Sequence, residues 1–468
     1  MFNLLTLLII IGIPSFFLIQ KNPDFFFWFG LMMFFDPGGY VEGYLGGNLL
    51  GLLNVTDVFF VVMMTCLISV KNKINPFKTD KDFKKIFFYL LWFHLFFIII
   101  YGLIIPIYNG RLDFVFFLVK SREYFMALPI MYAVYIFAHR NFALFFNIFI
   151  YISALVLILY FVTLTTGVEL IPVWRFDRYS GYDYQRISLW NYGLIHWVLN
   201  LGIIAFFLFL KKKKAIPKIN LLYLSAVLMA VTLLITLTRR EYLYIGFSVI
   251  VISIVLWYLF RMSKLKIYFK TILPAFIVLF FLVLLIPQSF EGVGRIFQDT
   301  FSIILTGQDT RGVTDYRIAG TGDLEIARSM ISENLFWGTG YLPYTWAEVV
   351  RMKLAGDPFA AAIDASGEIP LYGILFRMGL IGFLLGSFIF IAVIKIIIKL
   401  LKHIKRNPVP QSNLEFLFIL FLLVELMIGF TFNLYSTYGA FFSPIKMVII
   451  ALKLSFLFAL KNILIDEK

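Results

Sequence analysis

The sequence predicts an all-α polytopic membrane protein with about 12 transmembrane helices and one large extracytoplasmic loop between helices 9 and 10. Composition is the first reason. Hydrophobic residues make up 61% of the 468-residue chain and charged residues only 15%, against about 25% in a soluble protein. Phe alone occurs 56 times, and the mean hydropathy is +0.90. So few polar residues cannot cover a water-soluble particle, which excludes a soluble enzyme, a disordered chain and a secreted disulfide scaffold.

Long apolar runs are the second reason, and they place the helices along the chain. A helix needs roughly 20 apolar residues to cross about 30 Å of hydrocarbon. The qualifying runs are 3–19, 48–70, 86–108, 142–166, 191–210, 219–238, 242–260, 267–286, 371–398, 414–432 and 443–460, with a shorter run at 122–138. We interpret the shorter stretch 24–35 as re-entrant or interfacial. The first run lacks a basic flank and a cleavage site, so we expect a retained span and not a signal peptide.

Lysine residues give the orientation. Residues 71–85 contain six Lys, and three further groups lie within 211–218, 264–270 and 399–405. Threading 12 spans puts all four groups and both termini on one side. The positive-inside rule assigns that side to the cytoplasm. Most of the net charge of +14 is therefore explained by topology, and we predict no nucleic-acid partner.

Arginine residues follow the opposite distribution. By the same threading, 13 of 16 Arg lie on the outer side or in the outer half of a span. Topology disfavours Arg there as much as Lys, so this excess indicates a ligand that needs guanidinium. Arg binds phosphate or carboxylate with a planar fork and stays charged when partly dehydrated. The alternative is that these side chains only reach lipid head groups.

Four arginines have no loop to hydrate them. Arg239 and Arg240 join two apolar runs directly, Arg377 lies inside the tenth span, and Arg122 begins the short fourth span. We predict that they form a cationic pocket for a lipid-linked phosphate or diphosphate. The alternative is internal salt bridges with nearby acids, namely Glu123, Glu241 or Glu425.

Two acidic residues also lie inside spans, Asp57 and Glu425. A charge within a span is costly and is a functional-site hypothesis by default. We interpret both as partners of embedded arginines, with proton relays as the alternative.

Two outer loops are long enough to carry more of a site. Loop 167–190 mixes Trp, Tyr, Asp and Arg, including Arg178 and Arg186, which is typical of a lining that binds sugar and phosphate. An aromatic belt at the interface is the alternative. The 83-residue loop 287–369 is long enough for a small domain, and it divides the chain into 1–286, 287–369 and 370–468.

The large loop also predicts local structure and a base. A helix is predicted from about Asp323, with Gly338 and Gly340 ending it. Asp364 and Glu368 come just before the tenth span, so a carboxylate would lie at the membrane surface as a candidate general base. A helix N-cap or a solvated charge is the alternative.

Three segments then resemble the O-antigen polymerase and O-antigen ligase superfamily of bacterial inner membranes. They are Thr238-Arg239-Arg240 before a span, residues 328–340 ending in Asn334-Leu335-Phe336-Trp337-Gly338-Thr339-Gly340, and the entry to the tenth span with Met378-Gly379-Leu380-Ile381-Gly382. The resemblance is concentrated in residues 230–385. The long outer loop between spans nine and ten is similar as well.

The resemblance implies glycosyl transfer from sugars linked to undecaprenyl diphosphate, with no metal and no other cofactor. From the arginine distribution we expect Arg239, Arg240 and Arg377 to bind the donor diphosphate, and Arg122, with Arg186, to bind the phosphates of the acceptor lipid. The further expected substrate contacts are Arg178, Arg317 and Arg328. Ligases of the family usually have a His before the tenth span, where this chain reads Ser366-Gly367-Glu368-Ile369. That difference favours a polymerase, with Glu368 or Asp364 as the base.

Several alternatives stay open at this point. The expected partners are a lipid-linked oligosaccharide and membrane lipids, with a chain-length regulator and a flippase as possible protein partners. A ligase would move finished polymer to another acceptor, and a flippase or another transporter would catalyse no transfer. A metal-dependent glycosyltransferase would bind a divalent ion through acidic loop residues, namely Asp177, Asp183, Asp323 and Glu325.

Overall fold

The computed structural model describes most of the predicted helices. The described residues are 18–39, 55–70, 74–110, 112–176, 186–189, 192–209, 218–235, 239–260, 329, 331–340, 351–352, 355, 372–406, 414–435 and 444–466. Of the predicted span 3–19 only residues 18 and 19 are described, and the predicted span 267–286 lies entirely outside the described residues, as does most of loop 287–369.

Helices dominate the described part of the chain. They are α1 Pro23–Phe34, α2 Val55–Ser69, α3 Pro76–Thr79, α4 Lys81–Phe97, a π-helix Ile98–Ile104, α5 Ile105–Tyr108, α6 Phe114–Thr166, α7 Trp197–Phe209, α8 Ile219–Ile235, α9 Arg239–Phe260, α10 Tyr372–Arg406, α11 Leu414–Tyr435 and α12 Pro444–Asp466. Within the described residues, three continuous stretches are long and apolar enough to cross a membrane: Lys81–Tyr108, Tyr124–Thr166 and Leu375–Arg406. The helical membrane class agrees with the sequence, and the count of 12 spans stays a prediction.

Two of the long helices are broken by a single residue. Asn141 (φ −158°, ψ 73°) divides α6, at the position where the sequence predicts the fourth span to end and the fifth to begin. Its side chain accepts a hydrogen bond from the Leu144 N–H (3.0 Å) and so caps the second part of α6. Gly379 (φ 58°, ψ −167°) divides α10, and this break was not predicted.

Helix α1 lies inside the bundle. Phe27 and Trp28 are fully buried, so this helix packs within the protein, and the re-entrant or interfacial interpretation of residues 24–35 stays a prediction. Asp24 at the start of α1 pairs with Arg140 at the break of α6 (2.8 Å). Beyond the other end of α1, a Cβ on Gly38 would stand 3.2 Å from a side-chain atom of Val156, which lies in the second part of α6. The segment from α1 to Gly38 therefore runs alongside α6 past its break at Asn141. The prediction that both termini lie on the same side of the membrane assumes that residues 24–35 do not cross it. That orientation stays a prediction.

Aromatic rings fill the centre of the bundle. Phe27 of α1 stacks on Phe137 of α6, with ring centroids 3.9 Å apart. Trp28 stacks on Phe456 of α12 (5.6 Å), and Phe456 also contacts Phe145 (4.6 Å). Since lipid tails are as apolar as Phe, such helices are held together mainly by close packing and not by transfer out of water.

A polar junction joins α4 to α12 on the lysine-rich side. Asp80 caps α4 by accepting hydrogen bonds from the N–H groups of Asp82 (2.8 Å) and Phe83 (3.0 Å). Its other oxygen lies 3.2 Å from Lys461 and accepts a hydrogen bond from Asn462 (3.0 Å). One carboxylate therefore orders a helix start and also holds a second helix against it.

Loop 167–190 contains a β-hairpin that the all-α prediction did not include. Strands β1 Val173–Phe176 and β2 Arg186–Leu189 pair antiparallel, with Val173 opposite Leu189 and Phe176 opposite Arg186. Strand β1 is rich in aromatic and β-branched residues, which favour a pleated, half-buried surface, whereas β2 contains only Ile187 of this kind. The hairpin brings the backbone of Arg186 next to that of Phe176.

Candidate functional site

A short loop segment, residues 334–340, docks onto the break in α10, and we call it the clasp. Helical turns at 331–333 come just before it. The chain then leaves the helix, and the Gly338 N–H donates to the Asn334 carbonyl (2.7 Å). Gly338 (φ 69°) and Gly340 (φ 73°) both adopt the left-handed conformation. The described helical residues end at Glu333, and Gly338 closes the turn that follows, whereas the predicted helix start near Asp323 lies outside the described residues.

The clasp satisfies the carbonyl groups that the break leaves open. The Thr339 N–H donates to the Phe376 carbonyl (2.8 Å), and the Thr339 hydroxyl donates to the same oxygen (3.0 Å). The Gly340 N–H donates to the Arg377 carbonyl (2.9 Å). Gly379 interrupts the helical pattern that would otherwise satisfy these oxygens. In a membrane each unsatisfied backbone group costs several kcal/mol, so these bonds allow α10 to break there.

The same segment satisfies the N–H groups on the far side of the break. The Leu380 N–H donates to the Leu335 carbonyl (2.7 Å), and the Ile381 N–H donates to the Phe336 carbonyl (3.2 Å). The first N–H groups of a helix have no partner within it. The clasp therefore caps both half-helices of α10 at once.

Glycine is required at two of the contacting positions because the backbones touch. A Cβ atom on Gly338 would lie 2.4 Å from the carbonyl carbon of Arg377 and from the N atom of Met378. A Cβ on Gly379 would lie 2.4 Å from the carbonyl carbon and oxygen of Phe336. These two glycines belong to segments 328–340 and 370–382, and the fold places the described parts of those segments in direct contact.

The π-helix supplies the third part of this site. The Tyr101 hydroxyl donates to the Met378 carbonyl (2.8 Å), which is the last carbonyl before the break. A Cβ on Gly340 would lie 2.7 Å from the Tyr101 carbonyl oxygen, and a Cβ on Gly382 would lie 2.9 Å from its hydroxyl. π-helical turns are rare and often occur at functional sites. Here the π-helix holds Tyr101 against the clasp.

Arg377 is thus placed at a rigid point. It lies two residues before the break, its carbonyl is occupied by the clasp, and its side chain is partly exposed. An embedded arginine on a backbone held from both sides can present its planar guanidinium to the oxygens of a phosphate or carboxylate.

Arg122 has an acidic partner that the sequence did not pair with it. Its guanidinium lies 3.0 Å from Asp57 of α2, with 26% and 10% of the two side chains exposed. The expectation that Asp57 serves an embedded arginine is confirmed. The ring of Tyr124, two residues along α6, packs on Phe97 (5.1 Å), which packs on Tyr101 (5.2 Å). Tyr124 is therefore connected to Tyr101, beside the clasp, through Phe97. Arg122 lies two residues before this row of rings on the same helix.

Arg239 and Arg240 are the first two residues of α9. The positive end of the helix dipole lies there, so cations at this position are unfavourable unless an anion compensates them. The sequence predicts this helix start correctly. The positions of the two guanidinium groups are outside the described side chains.

A buried charged network lies one turn further along α9. The Tyr244 hydroxyl donates to Glu425 (3.0 Å), and Lys453 of α12 lies 2.7 Å from the same carboxylate. The Asn200 amide donates to both Glu425 and the Tyr244 hydroxyl. The expectation that Glu425 pairs with an arginine is wrong, because its ionic partner is Lys453. Sequence reasoning missed Lys453, although a lysine in the middle of an apolar run was the available signal.

Several predicted site residues lie outside the described residues. The candidate bases Glu368 and Asp364 and the arginines Arg178, Arg317 and Arg328 are among them. So are all four acidic metal candidates, Asp177, Asp183, Asp323 and Glu325. For Arg186 the structure gives only the backbone position in β2. The site described above therefore consists of Arg377, the clasp, Tyr101 and the Arg122–Asp57 pair.

Comparison with known proteins adds no relative to this description. No protein-family model, no curated protein and no solved structure matches the chain.

Proposed function

We propose that this chain is a glycosyltransferase of the bacterial cytoplasmic membrane that polymerises lipid-linked oligosaccharide units on the outer face. The observation that carries the proposal is the clasp. Two segments that resemble the O-antigen superfamily, 328–340 and 370–382, are far apart in sequence and contact each other around Arg377. Such a contact is expected if the two segments build one site.

In the proposed reaction the donor is a growing glycan on undecaprenyl diphosphate. An acceptor hydroxyl oxygen bonds to the anomeric carbon of the donor as the bond from that carbon to the diphosphate oxygen breaks. The diphosphate leaves with the bonding electrons, and Glu368 or Asp364 takes the hydroxyl proton. The acceptor is the next lipid-linked unit, so the product stays attached to a lipid diphosphate.

In this proposal Arg239, Arg240 and Arg377 stabilise the charge that develops on the leaving diphosphate. The start of α9 supports this role, since an anion there would interact with two guanidinium groups and with the helix dipole. For Arg122 we propose a positioning role, because Asp57 already compensates part of its charge. Arg122 would position α6 beside the site and would not bind a phosphate alone.

The test replaces Arg377 in the producing strain and measures the size distribution of the surface glycan and of the lipid-linked intermediates. A lost Arg–phosphate contact costs about 1.5–3 kcal/mol, so Arg377→Ala should slow chain extension by roughly 10- to 150-fold. Arg377→Lys should restore little of it, because lysine lacks the planar fork. Arg406→Ala is the matched control, since it removes the same charge from the far end of the same helix. Normal chain length in Arg377→Ala, with the protein present in the membrane, would overturn the assignment.

A second candidate function is transport, for example a flippase for the lipid-linked unit. A discontinuous helix and a buried intramembrane ion pair, Glu425–Lys453, are both common in transporters. Deletion of the chain distinguishes the classes. A polymerase mutant accumulates single repeat units on the outer face, a ligase mutant accumulates long chains on the lipid diphosphate, and a flippase mutant retains single units on the inner face.

A further inference from the structure

An apolar groove runs between α4 and the second half of α10. It encloses about 790 Å³ and is lined by large apolar side chains of both helices. Trp92 and Phe388 stand on its walls and are 68% and 67% exposed in the described structure. Both helices belong to stretches that are long and apolar enough to cross a membrane, so in a membrane these exposed side chains would face lipid. The groove would then open to the bilayer.

One end of the groove is charged. Lys85, Lys395, Lys399 and Asp82 line it there, on the side where the chain concentrates its lysines. Asp82 already interacts with Lys461 (3.3 Å) and with Lys399 (3.6 Å). Within the described residues, Lys85 and Lys395 form no ion pair. This end of the groove therefore has an excess of positive charge next to an apolar channel.

The dimensions of the groove match one lipid molecule. Its lining on α4 extends from Asp82 to Phe96, which is about 21 Å at 1.5 Å per residue. One leaflet contributes about half of the roughly 30 Å of hydrocarbon in a bilayer. A groove of this length holds an acyl chain from the head-group level to the middle of the membrane, and its lysines lie at the level of the phosphate.

We propose that this groove binds one anionic phospholipid, such as phosphatidylglycerol, from the leaflet on the lysine-rich side. An acyl chain lies between the aromatic walls, and the phosphate interacts with Lys85 and Lys395. The site is at the opposite end of α10 from Gly379 and is independent of the proposed diphosphate site. The bound lipid fills the gap between α10, which carries the break, and α4, which continues directly into the π-helix that carries Tyr101.

The experiment measures retained and titrated lipid on the purified full-length protein. Binding of phosphatidylglycerol and of phosphatidylcholine is measured by native mass spectrometry after delipidation. A cation at the membrane surface is worth roughly 5-fold in affinity for anionic lipid, so the double variant Lys85→Gln/Lys395→Gln should bind phosphatidylglycerol about 25-fold more weakly. The matched control is Lys84→Gln/Lys402→Gln, which removes two charges from the same helices at positions that do not line the groove. The control should bind as the parent protein does.

A second variant tests the apolar part without changing any charge. Ala392 lines the groove, and Ala392→Trp places a ring in the path of the acyl chain. It should weaken phosphatidylglycerol binding at least 10-fold while the lysines remain. Equal losses in both lysine pairs would mean general surface attraction and overturn the proposal. Equal binding of phosphatidylcholine, or stronger binding of a polyprenyl phosphate, would also overturn it.

Discussion

Replacing Gly379 by Ala places a Cβ atom where the clasp already lies. The new atom would stand 2.4 Å from the carbonyl carbon and oxygen of Phe336 and 2.6 Å from the N atom of Trp337. All three are backbone atoms, so no rotation of a side chain can relieve the overlap. The clasp must move away from α10, or α10 must change its path.

The cost follows from two contributions. A residue with a side chain at φ 58° and ψ −167° lies in a region that is almost restricted to glycine, which costs about 1–3 kcal/mol. Separating the clasp also breaks the hydrogen bonds of Leu380 and Ile381, each worth about 0.5–1.5 kcal/mol. We expect Gly379→Ala to destabilise the protein by about 2–6 kcal/mol, which is a large part of a typical stability of about 5–15 kcal/mol.

Two other glycines separate these contributions. Gly110 (φ 66°) also has positive φ, but a Cβ there meets nothing within 4 Å, so Gly110→Ala should cost only about 1–2 kcal/mol. Gly246 is helical with equally open space, and Gly246→Ala should be neutral or stabilising by up to about 1 kcal/mol. Gly338→Ala disrupts the same backbone contact from the side of the clasp, so its loss of stability should be similar to that of Gly379→Ala.

The assay is thermal unfolding of the four purified variants in detergent, followed by intrinsic fluorescence, with abundance in the membrane as a second measurement. The expected order of loss is Gly379 and Gly338 first, then Gly110, then Gly246. If Gly379→Ala unfolds together with Gly110→Ala, the backbone contact between clasp and helix does not contribute, and the description of the site is wrong.

Two further predictions concern buried carboxylates. Asp80→Ala should destabilise the protein by about 2–4 kcal/mol, because a helix cap and the pairing with Lys461 are both lost. Asp80→Asn keeps the cap and should cost about half of that. The same unfolding assay measures both variants. Glu425→Gln should cost about 3–5 kcal/mol because Lys453 then stays charged and buried, and the double variant Glu425→Gln/Lys453→Met should recover most of the loss in a double-mutant cycle. Additive losses in that cycle would show that the pair is not coupled.

Helix positions were the most predictable part of this fold. The runs 219–238 and 414–432 correspond to Ile219–Ile235 and Leu414–Tyr435, because a span must be apolar along its whole length. Gly338 and Gly340 both adopt positive φ after a helical turn, a conformation that few other residues adopt.

What hydropathy could not reveal is the hydrogen-bond pattern inside an apolar run. The π-helix is made of Ile, Tyr, Gly and Leu, and the same residues would suit an α-helix. The break at Gly379 has the same cause, because glycine in an apolar span also serves close helix packing. Only the partner segment, about 40 residues earlier in the chain, makes the break possible.

The site was predictable in its charges but not in its pairings. Arg122 and Asp57 are both unusual in apolar runs, yet nothing in the sequence relates α2 to α6. Likewise Glu425 was recognised as an acid inside a span, but its partner Lys453 was not. The run around Lys453 is so apolar that one charge changes its mean hydropathy little.

The clasp has a consequence for how the protein is assembled during synthesis. An apolar helix with open backbone groups at its middle is costly in lipid, so α10 cannot be stably inserted in its broken form by itself. Residues 334–340 leave the ribosome before Gly379, and by the predicted topology they have already crossed the membrane when α10 emerges. Insertion of this helix then depends on a loop that was exported earlier. A clasp variant should therefore be recognised as an insertion defect, with α10 exposed to membrane quality-control proteases even when every other helix is in place.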